Sequence, residues 1–337
     1  MVAEEAGVST ATASRILSGA RAGSPETAAR VRTAARDLGY TGNSIARALR
    51  RRTTGNVGMV VPSIGNPFFT SLVEEVEHHL AGMGLNLFLC DARNDPELEA
   101  ERLTSLTRGN VDGILISPVD SERSRAALEA TAATVPVVQL DRFVRGSDGD
   151  RVILDDDHAI RLVVEHLADV GATTAAFVTS TAGSSSAHLR LAGVQRWGLQ
   201  YGVSIAPDHV LDGEFTLLWG ARAADRLLAT GPLPDAVICS DDLLAVGMVM
   251  RLAQQGVHAP TDVLVSGFDD IDLASLTVPS ITTLRQPRER MAAEAVRLLA
   301  ARTADPSRAG STVSLQGVLV ARASTARRHD AAPAGPS

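Results

Sequence analysis

Charged, amide and aromatic side chains follow several short apolar runs of this sequence, at the positions where buried β-strands would end. Ligands of doubly wound α/β proteins bind beyond the carboxyl ends of the strands, so these side chains are candidates for one shared binding site. Their polar groups can form paired hydrogen bonds with a small polar ligand, and the rings can cover its apolar faces. The runs and the residues after them are 57–61 with Asn66, Phe68 and Phe69; 135–140 with Asp141 and Arg142; 237–239 with Asp241 and Asp242; and 263–265 with Phe268 and Asp269.

The elements that would position these side chains alternate along the chain from residue 57 onward. Short apolar runs alternate with amphipathic stretches at helical spacing, which is typical of right-handed βαβ units and parallel sheets. The segment 56–325 is too long for one sheet domain of ordinary size, so an α/β body of two doubly wound lobes with a cleft between them is predicted. Predicted strands are 57–61, 85–90, 111–116, 135–140, 152–154, 175–178, 237–239 and 263–265; predicted helices are 68–83, 98–108, 159–170, 243–255 and 288–301.

The first 42 residues show a different pattern, in which short helices are separated by helix-stop signals. Residues 2–6 and 10–17 are predicted helices joined by a glycine-containing turn, which makes a helix-turn-helix candidate. Ser9 is the expected N-cap of the second helix. A third helix is predicted over 25–38, with Ser24 as its N-cap. Three helices can enclose a small core, so a separate all-α head is predicted.

The net charge of −7 hides an asymmetry between the two ends of the chain. Residues 1–52 contain nine arginines and four acidic residues, a charge of +5, so the remaining residues carry −12. A basic module joined to a larger acidic one suggests nucleic acid as the partner of the small end and a different partner for the large one.

Composition and motifs argue against several classes of protein. With 45% hydrophobic and 21% charged residues, the chain is an ordinary globular protein, and no apolar run approaches the roughly 20 residues of a membrane span. The first residues lack the pattern of a secretory signal, so a cytosolic protein is expected. Cys90 and Cys239 lie in apolar runs without metal-ligand spacing, and no disulfide, metal site or cofactor is predicted. Because no nucleophile elbow, P-loop, zinc-protease motif or Cys–His pair is present, an enzyme is not expected.

The segment 43–55 joins the head to the body and is predicted to form a short hinge helix and a linker. Its apolar side chains, Leu49 among them, lie on one side of this helix, while four arginines stay in solvent. At barely two turns the helix would be marginal alone, so we expect it to form only against a partner. The predicted units are the head over 1–42, the hinge helix and linker over 43–55, the two-lobed body over 56–325 and a disordered tail over 326–337.

Strings distributed along the chain resemble the LacI/GalR family of bacterial transcription factors. In the head and first strand these are VAEEAGVSTATASRILSG, SPETAARV, LGYTGNSIARALR and VGMVVPSIGNPFF; in the body they are VPVVQLDR, VEHLADVG, LRLAGV, ICSDDLLAVGM, VSGFDDIDLA and ITTLRQP. So many ordered segments form a specific signal, and they cover about residues 2–325. The resemblance implies a repressor-type homodimer whose head binds a palindromic operator. It also implies that the body, similar to periplasmic sugar-binding proteins, binds a small effector and controls DNA binding.

This resemblance assigns the DNA contacts to the second helix of the head and to the hinge helix. The second helix of a helix-turn-helix lies in the major groove with its first residues nearest the bases. Arg15 can donate two hydrogen bonds to guanine, although contact with phosphate alone stays open. Leu49 is either core of the hinge helix or a wedge into the minor groove, and the resemblance favours the wedge. The predicted DNA-binding residues are Ser9, Thr10, Ala11, Thr12, Ser14, Arg15, Asn43, Ala46 and Leu49.

By similarity to ribose-binding pockets, Arg190, Phe215 and Gln286 join the strand-end residues in the effector site. A sugar ring has apolar C–H faces and a hydroxyl edge, which suit aromatic plates and bidentate polar groups. Three carboxylates against two guanidiniums disfavour a phosphorylated effector, so a neutral pentose or hexose is expected. Related sites commonly have asparagine in place of Asp241. The predicted effector-binding residues are Asn66, Phe68, Phe69, Asp141, Arg142, Arg190, Phe215, Asp241, Asp269 and Gln286.

Other interpretations stay open at this point. A carboxylate before a helix is usually an N-cap, so Asp155, Asp156, Asp157 and Asp242 are expected to be caps. An exported sugar-binding receptor would share the body but not the basic head, a protein could act as corepressor, and the sign of regulation is undecided. Family members begin their first helix earlier, so the gene start is expected upstream of Met1, and the head as given is expected to be less stable.

Overall fold

The computed structural model describes residues 1–17, 23–38, 54–109, 111–180 and 183–326, which form a small helical head and a two-lobed α/β body. The helices are α1 (Val2–Glu5), α2 (Thr10–Leu17), α3 (Pro25–Asp37), α4 (Pro67–Gly82), α5 (Pro96–Arg108), α6 (Arg125–Ala132), α7 (Asp156–Asp169), α8 (Ser185–Tyr201), α9 (Leu217–Ala229), α10 (Asp242–Gln254), α11 (Asp272–Leu276) and α12 (Arg288–Ala304). The strands are β1 (Asn56–Val61), β2 (Asn86–Asp91), β3 (Gly113–Ile116), β4 (Val137–Leu140), β5 (Asp150–Leu154), β6 (Ala175–Thr179), β7 (Val210–Asp212), β8 (Ala236–Cys239), β9 (Leu264–Ser266), β10 (Thr283–Arg285), β11 (Thr312–Leu315) and β12 (Val318–Val320).

The head is built from α1, α2 and α3 around a small apolar core. Val2, Ile16 and Val31 meet at its centre, packed with four buried alanines. The turn before α2 contains Gly7 at a φ of +61°, a conformation that favours glycine. The predicted three-helix head is therefore confirmed.

Two serine caps fix where the second and third helices of the head begin. The Ser9 side chain accepts a hydrogen bond from the Thr12 backbone N–H at 3.1 Å. The Ser24 side chain accepts one from the Thr27 backbone N–H at 3.3 Å. Because each cap satisfies a backbone donor that the helix leaves unpaired, both starts agree with the sequence prediction.

The first lobe of the body contains a six-stranded sheet in the order β11-β5-β4-β3-β1-β2. All of its neighbouring strands are parallel. α12 lies against α4 and β4 on this lobe, although it comes late in the chain. The carboxyl ends of β1 and β4 therefore lie at the same edge of one sheet.

The second lobe contains a four-stranded parallel sheet in the order β7-β6-β8-β9. The chain crosses between the lobes three times: from β5 into α7, from β10 into α12, and from β11 into β12. β10 and β12 pair antiparallel, with Leu284 opposite Leu319, and so join two of the crossings. The α/β fold with two doubly wound lobes is thereby confirmed.

The eight predicted strands and five predicted helices of the body are present, with ends shifted by up to three residues. Sequence analysis did not predict β7, β10, β11 or β12, because these strands have only three or four residues and their side chains are partly exposed. Among the described residues, no helix has both the length and the apolar character needed to span a membrane.

Candidate functional site

One cleft between the lobes contains all ten side chains that sequence analysis predicts for effector binding. It holds about 260 Å³ of space not filled by protein atoms, part of it open to solvent. Every lining residue except Phe215 is buried. The lining residues are Asn66, Phe68, Phe69, Asp141, Arg142, Ser186, Arg190, Phe215, Asp241, Asp269 and Gln286.

The first lobe builds one wall of the cleft from the segments after β1 and β4. Asn66 is the N-cap of α4, because its side-chain oxygen accepts a hydrogen bond from the Phe68 backbone N–H at 3.0 Å. The cap fixes the first turn of α4, where the rings of Phe68 and Phe69 stand edge to face with centroids 5.2 Å apart. Asp141 and Arg142 directly follow β4, and Asp141 has a φ of +67°, so the chain turns sharply there.

The second lobe and its crossing build the opposite wall. Asp241 follows β8 and caps α10, because its Oδ1 accepts a hydrogen bond from the Leu244 backbone N–H at 2.8 Å. Asp269 follows β9, and Gln286 follows β10 at the crossing into α12. Gln286 Nε2 donates to Asp269 Oδ1 at 2.8 Å. Arg190 comes from the second turn of α8, so four different elements supply this wall.

Arg190 is already fixed by the second lobe itself. Its Nε donates to Asp156 Oδ1 at 2.8 Å, and one terminal nitrogen donates to the Ser240 carbonyl at 2.6 Å. Its guanidinium carbon lies 3.5 Å from the centre of the Phe268 ring. Arg190 and Asp156 are each only 4% exposed. The guanidinium is therefore held in one orientation, with part of its donor capacity left for the cleft.

Arg142 lies between aromatic rings in the first-lobe wall. Its guanidinium carbon is 5.3 Å from the Phe69 ring centroid and 5.4 Å from that of Phe215. Its Nε is 3.8 Å from Asp141 Oδ2, which is an ion pair longer than a hydrogen bond. Within the described part of the chain this buried Nε–H has no hydrogen-bond partner. Because such a donor costs roughly 1–3 kcal/mol while unpaired, it is suited to a ligand oxygen.

Consecutive aspartates beside the cleft have different roles, and three expectations from the sequence are wrong. Asp155 is the N-cap of α7 as expected. Asp156 instead binds Arg190, and Asp157 accepts a hydrogen bond from Trp197 Nε1 at 3.1 Å, because both lie inside the first turn of α7 and face α8. The expected cap Asp242 instead accepts hydrogen bonds from the Ile271 backbone N–H at 2.8 Å and the Thr283 hydroxyl at 2.6 Å. The reason is that α10 begins one residue earlier than predicted, so the preceding carboxylate becomes the cap.

Burial raises the pKa of several carboxyl groups around the cleft. It raises the pKa of Asp241 to about 6 and that of Asp156 to about 6, and nearby arginines offset only part of this effect. Burial also raises the pKa of Asp269 well above its usual range and, to a smaller extent, that of Asp141. The ionised forms are thus poorly solvated in this cleft, which holds more carboxylates than guanidiniums.

Direct contacts join the two lobes around the cleft. Asn66 Nδ2 donates to Asp241 Oδ2 at 3.3 Å across it. The Phe143 backbone N–H donates to the Ser185 hydroxyl at 3.0 Å, and the backbone N–H of Ser121 donates to the carbonyl of residue 183 at 2.8 Å. These contacts hold the two lobes together around the site, whose polar side chains are largely buried.

The predicted DNA-reading residues of the head lie on one helix. Ser9, Thr10, Ala11 and Arg15 are exposed at and after the start of α2, whereas Thr12 and Ser14 are half-buried. The opposite side of α2 carries the buried residues Ala13 and Ile16. The Ser9 hydroxyl also lies 2.9 Å from the Thr12 hydroxyl. The start of α2 therefore presents small polar and apolar side chains, and Arg15, outward.

The predicted contacts of the hinge helix lie outside the described residues. This applies to Asn43, Ala46 and Leu49, and it applies equally to the tail from residue 327 onward. Description of the body resumes at Thr54, whose backbone N–H donates to Asp112 in the first lobe.

Sequence analysis missed two residues of the site. Ser186 lines the cleft one helical turn before Arg190, and this i, i+4 spacing on α8 was the available signal. Asp156 orients Arg190 from a different element, α7. No local pattern could reveal that contact, because it depends on how α7 and α8 pack.

Hydrogen-bonding and aromatic side chains line the cleft, and neither Cys90 nor Cys239 is among the lining residues. The described residues contain no group of three or more His, Cys, Asp and Glu side chains that could hold a metal ion. Cys239 is buried on β8, and burial raises the pKa of its thiol well above the usual value. Burial also raises the pKa of Cys90 on β2. Such thiols are poor nucleophiles at neutral pH.

Two family matches cover separate parts of the chain. Residues 2–43 match the family described as bacterial regulatory proteins, lacI family. Residues 164–325 match the family described as periplasmic binding protein-like domain.

Several relatives match this chain over nearly their whole length. The chain is 30% identical over 329 residues to the HTH-type transcriptional repressor PurR of Aliivibrio fischeri (strain ATCC 700601 / ES114), covering 97% of this chain and 98% of the relative. It is 31% identical over 325 residues to the ribose operon repressor of Escherichia coli (strain K12), covering 96% and 98%. A crystal structure described as the Lac repressor dimer bound to operator and the anti-inducer ONPF has a TM-score of 0.86 at 25% identity, covering 96% and 97%.

Proposed function

This chain belongs to the lacI family of bacterial regulatory proteins, and from that membership we propose a transcriptional repressor whose head binds a palindromic operator and whose cleft binds a small saccharide. A DNA-binding repressor controlled by a small-molecule effector is what the relatives and the fold support. The palindrome, the homodimer and the saccharide are our extension of it.

The convergence of ten predicted side chains in one cleft carries this proposal. They come from both lobes and from positions more than two hundred residues apart, yet they line a single volume of about 260 Å³. A concave site lined by aromatic rings and a few oriented polar groups is the usual form of a small-ligand site.

The pattern of donors, acceptors and rings supports a saccharide. Arg142 Nε offers an unpaired donor, and Gln286 Oε1 offers an acceptor without a partner among the described residues. A sugar hydroxyl can satisfy either of them, because it both donates and accepts. Phe68, Phe69 and Phe215 supply apolar surface for the C–H faces of the ring. The carboxylates disfavour a phosphate group on the ligand. A ribose operon repressor among the relatives agrees with this ligand class.

For the head, we propose that α2 enters the major groove and that Arg15 reads a base there. Its exposed position on α2 allows a bidentate contact with guanine. Thr10 and Ala11 would lie near base edges, and Ser9 and Asn43 would hold phosphates. Leu49 would enter the minor groove as a wedge at the operator centre, next to its counterpart from a second subunit.

A homodimer is supported by apolar side chains that the single chain leaves exposed. β2 is an edge strand whose Phe88 and Leu89 are 48% and 43% exposed. On the second lobe, Leu276 and Val278 are 76% and 93% exposed. An apolar edge strand is unfavourable unless another chain covers it, and we propose a second copy as that chain. Twofold symmetry would then match a palindromic operator.

Effector binding would change operator affinity through the relative orientation of the lobes. A ligand can shift this equilibrium only by its differential affinity for the two arrangements, typically ~1–3 kcal/mol of coupling. The three crossings between the lobes provide the pivots for such a movement.

Selection of DNA from a random duplex library tests the proposal. We expect the full chain to enrich a palindromic sequence and, in sedimentation, to have about twice the mass of the 35.3 kDa chain. Fluorescence anisotropy on the enriched duplex then follows operator affinity in the presence of pentoses, hexoses and, as flat aromatic alternatives, purine bases. Failure to prefer any duplex over random DNA would contradict the repressor, and a response to purine bases alone would contradict the saccharide.

A further inference from the structure

Three side chains on the second-lobe side of the cleft form a group of hydrogen-bond acceptors, which we name the acceptor corner: Asp241, Asp269 and Gln286. Gln286 Nε2 donates to Asp269 Oδ1 at 2.8 Å, so the amide nitrogen is already engaged. Its Oε1 is buried and has no hydrogen-bond partner in the described part of the chain, and Gln286 as a whole is 2% exposed. Asp241 and Asp269 are near enough for each charge to act on the other. Asp241 already accepts hydrogen bonds from the Leu244 backbone N–H and from Asn66 Nδ2, so among the described residues of the corner it is Gln286 Oε1 that is open to a donor from a ligand.

Charges around the cleft do not balance either. Three carboxylates and two guanidiniums line it. One of the guanidiniums, Arg190, is bound at 2.8 Å by a fourth buried carboxylate, Asp156. Four buried carboxylates therefore share two guanidiniums. A buried excess of negative charge is unfavourable until protons or a cation reduce it.

Two of the three cleft carboxylates lie in the acceptor corner. Burial raises the pKa of Asp241 to about 6 and that of Asp269 well above its usual range, although the positive charge of Arg190 on the same wall opposes the rise in both. A hydroxyl would give this corner one donor and no charge. A protonated amine would give it three donors and a positive charge. It would thus supply a hydrogen-bond donor for the unpaired acceptor and also reduce the excess of negative charge.

We propose that the effector is an amino sugar, or a comparable aminated polyol, whose protonated amino group lies against Asp241, Asp269 and Gln286 Oε1. A ring or hydroxyl oxygen of the same ligand accepts the hydrogen bond that Arg142 Nε leaves unused. This inference rests on the proposed function and revises one expectation from the sequence, namely that the effector is uncharged.

Calorimetric titration of the full chain at pH 7.0 tests the inference. The probes are D-glucosamine, D-galactosamine and D-mannosamine, each beside its counterpart with a hydroxyl group, D-glucose, D-galactose or D-mannose, and beside its N-acetyl derivative, which has no charge. We expect one amino sugar to bind at least about 10-fold more tightly than its hydroxyl counterpart and its N-acetyl form, and to change operator affinity in the anisotropy assay.

Two isosteric variants test whether the preference for an amino sugar depends on the acceptor corner. Asp241→Asn keeps the helix cap, because asparagine caps as well as aspartate does, but it removes the charge from the corner. We expect the amino sugar to lose its advantage in this variant. Asp242→Asn is the matched control, since it removes the neighbouring carboxylate, which faces Thr283 and Ile271 instead of the cleft. It should retain the preference.

The outcomes separate this inference from the proposed function. If a neutral sugar binds as tightly as its amino counterpart and changes operator affinity, the inference is wrong and the proposed function stands. Equal loss of preference in Asp241→Asn and Asp242→Asn would also overturn it, because the contact would then not be specific to the corner. If none of these sugars binds, with or without an amino group, the inference is wrong. The saccharide part of the proposed function is then wrong only if pentoses also leave operator affinity unchanged, and the repressor part is decided by the duplex selection.

Discussion

The head and the cleft present their polar side chains in opposite ways. At the start of α2, Ser9, Thr10 and Arg15 are exposed to solvent. In the cleft, Arg190 and Asp269 are each 4% exposed and are hydrogen-bonded to protein atoms. An exposed side chain adds its contacts on binding with little effect on the folded state. A buried charged one is part of the fold as well as of the site.

Stability and recognition can be separated in the head but not in the cleft. DNA carries its own dense charge and needs only a complementary surface, which small helices provide. A small ligand needs a dry, oriented set of groups, and their burial raises the free energy of the folded protein unless each charge has a partner. Substitutions in the head should therefore change binding alone, whereas substitutions around the cleft should change binding and folding together.

The largest expected effect is that of Arg190→Ala. Removal of this guanidinium leaves Asp156 buried without its partner, so we expect the free energy of unfolding to fall by about 3–5 kcal/mol and the effector response to disappear. Operator binding should persist below the unfolding temperature. Denaturant titration and anisotropy with and without effector measure the two properties.

Arg196→Ala is the matched control on the same helix. Arg196 pairs with Asp157, and the two side chains are 58% and 50% exposed, so their pair should contribute less than about 1 kcal/mol. If Arg190→Ala and Arg196→Ala lowered the free energy of unfolding equally, burial would not account for the larger effect expected at Arg190.

A pH-dependent effect of similar size is expected for Asp242→Asn. Asp242 is fully buried, and burial raises its pKa from an ordinary 3.8 to about 7. A group with a raised folded-state pKa contributes most stability at low pH and loses that contribution as the pH rises through the folded value. The stability of wild type relative to the variant should thus decrease by about 4 kcal/mol between pH 4 and pH 8, at about 1.4 kcal/mol per pKa unit.

Denaturant titration of both proteins across this pH range measures the decrease. A difference that stays constant from pH 4 to pH 8 would show that Asp242 titrates normally despite its burial. A difference that increases with pH would reverse the sign of the effect, and the folded state would then favour the ionised carboxylate.

Arg15→Ala should affect binding without affecting folding. Loss of a bidentate contact with guanine costs about 1–3 kcal/mol, which is a roughly 5- to 150-fold weaker operator complex, and it relaxes the preference at one base pair. Arg32→Ala removes the same charge from an exposed position on α3 and serves as the control. Anisotropy on the selected operator and on single-base variants measures both. Uniform weakening across all duplexes would instead place Arg15 on phosphate.

The smallest effect is expected from Ser24→Ala. This serine caps α3 and is not among the predicted DNA contacts, so its loss should lower the stability of the head by about 1 kcal/mol. Amide hydrogen exchange, measured during thermal unfolding, reports on the stability of the head, and the exchange of amides in the body serves as an internal reference. Faster exchange in the body as well would show that head and body unfold together.

Much of the cleft could be predicted because several of its polar residues directly follow apolar runs, which mark the ends of buried strands in the sequence. Asn66, Asp141 and Asp241 each follow an apolar run, and parallel strands bring such positions to one edge. Arg190, Phe215 and Gln286 lack this signal, because none of them follows a predicted strand, and only the family resemblance identified them. Their roles as effector contacts remain proposals.

The errors have a physical cause in packing. Asp241 and Asp242 are adjacent and chemically identical in the sequence, and a shift of one residue in the start of α10 decides which one caps the helix. The contact between Asp156 and Arg190 joins two helices. β10 and β12 are three-residue strands that lie far apart in the chain, so no local pattern indicates that they pair.

Because the chain crosses between the lobes an odd number of times, the two ends of the body lie on different lobes. Thr54, where the body begins, is hydrogen-bonded to Asp112 of the first lobe, whereas Ser324 near the other end is hydrogen-bonded to Val265 of the second. Anything attached ahead of Thr54 is thus carried by one lobe only. Rotation of the first lobe relative to the second therefore also moves the segment ahead of Thr54. Two fluorophores, one near each end of the body, would report the angle between the lobes without perturbing the effector site.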